Sequence, residues 1–550
     1  MRTNEERITQ GIEQKVRALG GSVKAGPRVI SHGELTPSRE RICVSGRQLR
    51  EVGGATLAEL VKANVPPKIF NRSGVLSRIH YLSDKLGERH AIASFNISSL
   101  RGAISEASDF YRVSSTGKSS DCSPPKDLAE HIFNLPPEQW GFPPLLSIIE
   151  APTLRPSGTV LTEPGYDAET QVFYSPTGGF TMPPVREVPS GEDLERARAI
   201  IDEVLCDFPF VDGASRATAI ATTITAVIRS AIDGPVPLAL FDSVQAGSGK
   251  SLLADVIAIL ATGRAAAMRS FPFDENEIRK QLTSGLLEGP ALWVYDNVDR
   301  PMNSGELCKV ITASIHADRV LQHTRDLHLP VRSTWIATGN NFRLGGDLPR
   351  RCYWAKLDPK CSRPQDRKGP HLDKRWRYAD LRRHVLEHRG EILWAILTLA
   401  RNWFALGGPA PQTSPVLGGF EEWSTKLGGI LESAGIGNFL ANTAEMHRAA
   451  DAESEEWESF LSEIHSIYNG EFFTTAELAA RIENREPRLI DVLPESVTAR
   501  RDRDIKTVLG NLFRKRLGRR FGDSQIHLTT ANRKRNNAML WRVVVDEESN

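Results

Sequence analysis

The sequence predicts an α/β protein, and three stretches carry that prediction. The first is an apolar strand, Val236-Pro-Leu-Ala-Leu-Phe241, leading into Gln245-Ala-Gly-Ser-Gly-Lys-Ser251 and then into the helical pattern Leu252-Leu-Ala-Asp-Val-Ile-Ala-Ile-Leu260. The second and third are the apolar strands Ala291-Leu-Trp-Val-Tyr-Asp296-Asn297 and Ser333-Thr-Trp-Ile-Ala-Thr-Gly339, the latter ending in Asn340-Asn341. Helical stretches alternating with short apolar strands are the pattern of a layered α/β domain.

The rest of the chain divides around this core. Residues 1–60 form a polar N-terminal segment broken at Gly20-Gly21 and Gly53-Gly54. Residues 61–190 alternate short apolar runs with Pro and Gly punctuation and read as a mixed α+β N-terminal domain. A linker near 186–192 leads into residues 191–360, the α/β domain that holds the three stretches, with Ser190 and Asp193 placed to form a capping box. Residues 361–468 read as a helical region, and residues 469–550 as a basic, winged-helix-like domain.

Composition bounds the class. The 550 residues carry 69 Lys and Arg against 68 Asp and Glu, a net charge of +1, with 40% hydrophobic residues. That is a soluble globular composition, and it excludes a uniformly basic nucleic-acid coat. The start, Met1-Arg-Thr-Asn-Glu-Glu-Arg7, shows no apolar signal region. The apolar uncharged runs 217–228 and 392–400 are short of the roughly 20 residues a spanning helix needs. Six scattered cysteines include no Cys-x-x-Cys, and Cys352, Cys361 and His371 fit no zinc spacing. No membrane partner is expected, and a cytoplasmic location is.

The glycine loop has a physical purpose. Gly247 and Gly249 let the backbone N–H groups of Ala246, Gly247, Ser248, Gly249, Lys250 and Ser251 converge on phosphate oxygens at the positive end of a helix. Lys250 would reach the β- and γ-phosphates, and Ser251 would ligate Mg²⁺. Val244 stands where glycine is usual, so the loop must enter differently. Asp296, at the end of the second strand, is placed to hold Mg²⁺, with ATP the expected nucleotide. Asn297 occupies the position where a second acid often polarises water, which leaves Asp299, Glu275 and Glu277 as alternatives for the base. Asn340, at the tip of the third strand, can orient water at the γ-phosphate. Arg350 and Arg351, in Gly345-Gly-Asp-Leu-Pro-Arg-Arg351, can reach a neighbouring subunit's nucleotide and stabilise transition-state charge.

These motifs, taken in order, resemble the AAA+ helicase-like ATPases of prophages, plasmids and integrated mobile elements. That group is similar to superfamily 3 helicases and to the C-terminal half of poxvirus-type primase-helicases. Flanking stretches such as Ile69 to Arg78, Gly158 to Asp167 and Gly419 to Trp423 extend the resemblance over about four fifths of the chain. The resemblance implies an AAA+ core, ATP-driven movement on DNA, and a ring of identical subunits, usually a hexamer. It assigns Lys250 and Ser251 to Walker A, Asp296 to Walker B, Asn340 to sensor 1, and Arg350 or Arg351 to the arginine finger. It also implies a pore hairpin between the second and third strands, with His323, Arg325 and His328 at its tip. Too few residues precede the resembling part for the primase domain of larger relatives, so priming is not expected.

Charge points to a second DNA contact. Residues 445–463 hold seven acids against one base, whereas 500–542 hold thirteen bases against three acids. In the basic stretch a helix carrying Arg514, Lys515 and Arg516 precedes a turn carrying Arg533, Lys534 and Arg535. Helix, strand, basic turn and strand is the order of a winged helix, whose cations would neutralise DNA phosphates. The expected function is an ATP-dependent DNA helicase or translocase in replication of a mobile genetic element, acting on single-stranded or forked DNA. The alternative is an AAA+ ATPase switch or regulator, in maintenance or defence, that binds DNA or protein without unwinding.

Overall fold

The computed structural model describes residues 39–84, 87–177, 180–319, 326–367, 369, 376–450, 452–498, 504–522, 524–535 and 538–545. The chain separates into two compact units. In the first, residues 39–63 combine with 96–134. Strand Arg41–Cys43 pairs in parallel with Asp109–Val113, which pairs antiparallel with Ser119–Cys122. Helices Leu49–Ala63, Ile97–Ala107 and Lys126–Phe133 pack together and bury Leu60, Leu100, Ile104, Leu128 and Ile132. The sequence boundary at residue 60 therefore needs revision. Residues 96–134 return to pair with the segment before 64, a long-range match that local punctuation cannot show.

The second unit holds residues 64–95 and everything from 135 onward. It opens with an antiparallel meander, Ile69–Arg72, Val75–Asp84 and Gly87–Ser94. Its first turn places Ser73 and Gly74 at φ +48° and +86°. Arg72 is buried and donates to the carbonyls of Leu286 and Leu287 at 2.9 Å each, supplying charged donors to the last turn of a helix. Ser190 and Asp193 form the expected capping box at the start of helix Gly191–Leu205.

The centre of this unit is a five-stranded sheet: β1 (Leu238–Ser243), β2 (Met268–Arg269), β3 (Leu292–Val298), β4 (Thr334–Asn340) and β5 (Cys352–Leu357). All neighbours are parallel, in the spatial order β2-β3-β4-β1-β5. Residues of β1 are buried without exception, because helices cover both faces and an unbroken apolar run suits that environment. Helices α1 (Gly213–Ile228), α2 (Lys250–Thr262), α3 (Glu275–Glu288) and α4 (Gly305–Ile311) belong to this layer. Between β3 and β4 the chain makes an antiparallel hairpin of Ile315–Arg319 with Asp326–Pro330. Helices Arg389–Ala405 and Glu421–Ser433 complete the same core, which includes Trp394, Trp403 and Trp423.

A separate core closes the chain. Helices α5 (Ala452–Tyr468) and α6 (Ile505–Arg516) bury Trp457, Phe460, Leu509 and Phe513 against strands Ile526–Arg535 and Ala538–Val544. Its sheet orders Phe473–Thr474, Ala538–Val544, Ile526–Arg535 and Arg520–Phe521, all antiparallel. This core takes in α5, so it begins inside the helical region 361–468 and not at its end. No helix among the described residues is long and apolar enough to cross a membrane.

Candidate nucleotide site

Inserting β4 between β1 and β3 brings three chemically active strand ends to one edge of the sheet. Ligands of open parallel sheets bind at this carboxyl edge, where connections diverge. Beyond β1 the loop uses Gly247 and Gly249 at φ +79° and +100°, a region costly for any side chain. Gly249 is the N-cap of α2, so the helix presents its free N–H groups and positive dipole end to the loop. Val244 is exposed and absent from the positive-φ residues. The loop therefore enters through ordinary backbone, and glycine is not needed there.

Lys250 is 7% exposed and its ammonium is ringed by oxygens. It donates to Asn340 Oδ1 at 2.8 Å, Ser248 Oγ at 3.0 Å and the Gln245 carbonyl at 3.3 Å. Burial lowers its pKa, and the charges of Asp242 and Asp296 offset only part of that. Beside it, Ser251 Oγ donates to Asp296 Oδ1 at 2.7 Å, and Thr338 Oγ1 donates to the same oxygen at 2.6 Å. Thr338 in turn accepts the Asn297 N–H at 2.9 Å. The structure thus brings Lys250, Ser251, Asp296 and Asn340 together. It adds Thr338, which lies on the same face of β4 as Asn340 by strand alternation.

Asp242 is a second residue the sequence reading missed. It is 2% exposed, and Oδ1 accepts the N–H groups of Ser243 at 2.8 Å and Phe342 at 3.3 Å. Burial raises its pKa despite these bonds. An acid inside an otherwise apolar strand was the available signal.

The three carboxylates proposed as base separate clearly. Glu275 accepts from Ser304 Oγ at 3.0 Å and from the N–H groups of Gly305 at 3.1 Å and Glu306 at 3.4 Å, so it adds a charged acceptor at the N-terminus of α4 beside the N-cap Ser304. Glu277 pairs with Lys280 at 2.7 Å. Asp299 is exposed just past β3, with no hydrogen bond or ion pair among the described residues. Asn297 itself is exposed at φ +52°.

Arg350 and Arg351 lie at the opposite edge. They precede Cys352, which is registered with Leu238 at the start of β1, whereas Leu357 is registered with Ser243 at its end. The strand between spans about 17 Å at roughly 3.3 Å per residue. Neither arginine is near its own chain's glycine loop. Both hold Asp347: Arg350 Nη2 at 2.7 Å from Oδ2, and Arg351 Nη1 at 2.8 Å from the carbonyl oxygen. The Arg350 side chain is 66% exposed and that of Arg351 only 15%. Burial alone would raise the Asp347 pKa, but the two guanidiniums hold it below the usual carboxylate range.

The expected hairpin is present. His323 and Arg325 lie outside the described residues. His328 is exposed on the second strand opposite Ala317, two pairs from the last described pair, and so is on the strand and not at the tip.

In the C-terminal core, Arg514 and Lys515 are exposed, whereas Arg516 is 9% exposed. The Arg516 guanidinium lies 4.3 Å from the centroid of the Trp457 ring. Helical spacing explains this correction to its expected place at DNA: Arg516 follows Leu512 by one turn and shares the buried face. Arg535 is exposed and pairs with Glu477 at 3.1 Å. The Arg533 and Lys534 side chains lie outside the described residues.

No family model and no curated protein matches this chain. Among solved structures it is similar to the A form apo structure of the NrS-1 C-terminal region, at 13% identity and TM-score 0.30, over 85% of this chain and 96% of that one. It is also similar to the active helicase Cch of SCCmec type IV, at 12% identity and TM-score 0.28, over 76% and 82%. A third is the JCV helicase, at 14% identity and TM-score 0.19, over 47% of this chain and 73% of that one.

Proposed function

We propose that this chain is an ATP-dependent DNA helicase or translocase with an AAA+, superfamily 3-like core. It works as a ring of identical subunits, with a hexamer favoured, in replication of a mobile genetic element. One observation carries the reading. Lys250, Ser251, Asp296 and Asn340 meet at one edge of the sheet, while Arg350 and Arg351 stand at the other. A site with both halves needs two copies of the chain.

The residues fit ATP and Mg²⁺. The three oxygens around Lys250 are the kind of partner phosphate oxygens would replace, and hydroxyl and carboxylate oxygens are the donors a hard cation takes. Bound Mg²⁺ supplies charge neutralisation at the phosphates. Lys250 binds the phosphate chain, Thr338 fixes the Asp296 carboxylate, and Asn340 positions the attacking water. Asp299, free of structural bonds, is the carboxylate available to take its proton. Exposed Arg350 reaches the neighbour's phosphate, while Arg351 braces it through Asp347.

Unwinding of a labelled DNA fork by the wild-type chain, lost in Lys250→Ala, is the expected result. ATP turnover stimulated by single-stranded DNA without unwinding would favour the regulator instead.

A further inference from the structure

Arg229 follows α1 directly, and its side chain is buried. Nη1 donates to the Ile232 carbonyl at 2.8 Å, and Nη2 donates to the carbonyls of Gly234 at 2.8 Å and Val331 at 3.4 Å. Its Nε–H is buried with no hydrogen-bond acceptor. Half-buried Arg332 donates from Nη1 to the same Ile232 carbonyl at 3.3 Å, so two guanidiniums meet on one oxygen. Neither forms an ion pair among the described residues. The carboxylate whose charge favours both cations is Asp233, which is exposed and accepts the Gly234 N–H at 2.8 Å.

Carbonyl dipoles solvate a guanidinium but leave its net charge uncancelled, and a buried charge needs a counter-ion. Burial brings the Arg229 pKa down to about 9, and repulsion from Arg332 adds to the fall. At that value Arg229 is still a cation at neutral pH, so the charge remains to be balanced. Both arginines line one cavity of about 30 Å³, together with Ser147, Thr170, Ser230 and Ala291. No acidic residue is among the described residues that line it. A water needs roughly 10–15 Å³ of such space, so the cavity has room for a monatomic anion and excludes anything the size of a nucleotide.

We propose that Arg229 and Arg332 form a binding site for a small inorganic anion, with chloride the species whose size fits. The anion accepts the free Nε–H of Arg229 and balances the charge that the two guanidiniums share. The site lies at the edge of the five-stranded sheet away from the glycine loop: Ala291 immediately precedes β3, and Arg332 stands two residues before β4. It therefore stands apart from the nucleotide reading, and holds whether or not the chain unwinds DNA.

Its position gives the anion a structural task. Arg229 closes α1, Arg332 leads into β4, and Ser147 lies on the strand Ser147–Ile149, which pairs with Val172–Tyr174. Thr153 Oγ1 already fastens this seam by donating to the Val227 carbonyl at 2.7 Å. An anion held by both arginines fastens it with charge. It also anchors the start of β4, the strand that bears Thr338 and Asn340 at its other end.

The test is thermal unfolding of the full chain, without nucleotide or DNA, in mixtures of sodium chloride and sodium gluconate. Gluconate is too large for the cavity, and constant ionic strength holds screening equal. The wild-type Tm should rise by roughly 2–5 °C for each tenfold increase in chloride above half-saturation. Arg229→Met should lose this rise and keep only the general effect of exchanging the salts. Arg332→Gln, at a half-buried position, should also lose it, and serves if Arg229→Met does not fold. Wild-type crystals soaked in bromide should show an anomalous signal within hydrogen-bond distance of Arg229 Nε. An equal Tm response in wild type and variants, or bromide crystals with no such signal, would overturn the site. So would a bromide signal without the chloride-dependent Tm, which would mean binding at crystal concentration only.

Discussion

Lys250 Nζ donates to Asn340 Oδ1 at 2.8 Å, so the glycine loop is tied directly to the tip of the strand inserted beside it. The contact keeps the ammonium at the site despite a burial that lowers its pKa. Asn340→Ala should cut ATP turnover by about 10²-fold, the size expected for loss of one preorganised polar group at a reacting phosphate. ATP affinity should change much less, because the loop and Lys250 remain. Steady-state hydrolysis together with nucleotide titration separates the two effects. A loss confined to affinity would remove Asn340 from the chemistry.

The two arginines should differ. Arg350→Ala should lower turnover about 10³-fold, the lower range for an arginine finger, and leave thermal stability unchanged. Arg351 is mostly buried, so Arg351→Ala should lower Tm. Mixing Arg350→Ala with Lys250→Ala subunits supplies the decisive measurement. Some mixed interfaces combine an intact phosphate loop with an intact Arg350, so activity should exceed that of either variant alone. Strict additivity would place Arg350 outside the neighbour's site.

What was legible in the sequence was whatever lay contiguous along the chain. The strand–glycine loop–helix unit, the Asp296 strand and the capping box at Ser190 are local patterns with local causes. The partners of Thr338 and Asp242 were not legible, because strand adjacency supplies them: Thr338 reaches Asp296 across β3 and β4, and Asp242, whose acidity in an apolar strand was the one local signal, reaches Phe342 across the β1–β4 edge. Arg516 failed for a different reason. A run of three cations looks uniformly solvated, yet on a helix one of three neighbours turns inward, and here it lies over Trp457. The return of residues 96–134 to the first unit depends on the Ile42–Phe110 pairing, which no local window contains.

The choice of base is testable through the three carboxylates. Asp299→Asn should reduce turnover by about 10²-fold or more without affecting Tm. Glu275→Gln should act the other way: the negative charge at the α4 N-terminus is lost, costing about 1 kcal/mol in stability, with turnover changed mainly through that loss. Turnover at saturating ATP and thermal unfolding of both variants decide the matter. An active Asp299→Asn protein would mean that another group takes the proton.

In the C-terminal core, exposed and buried cations should have opposite signatures. Arg514→Ala with Lys515→Ala should weaken DNA binding and reduce the slope of log affinity against log salt by up to about 2, one unit per lost phosphate contact. Arg516→Ala should leave that slope alone and lower Tm, because it uncovers Trp457. Salt-dependent binding and melting of the two proteins check this. A salt slope altered only in Arg516→Ala would reverse the assignment.

Glu432 predicts an acid-sensitive joint. Its carboxylate accepts the N–H groups of Gln412, Thr413 and Ser414 and the hydroxyls of Thr413 and Ser414. Burial by itself would raise its pKa, but these donors outweigh it and hold the group at about 2. The folded value lies below the unfolded one, near 4.3. The stabilisation is therefore complete above about pH 5 and disappears as the pH falls towards 2. Glu432→Gln should have a lower Tm than wild type at pH 7, and the gap should narrow steadily below about pH 5 as the wild-type carboxylate becomes protonated. Melting curves across this range test it, since a gap independent of pH would show that Glu432 acts through packing and not through its charge.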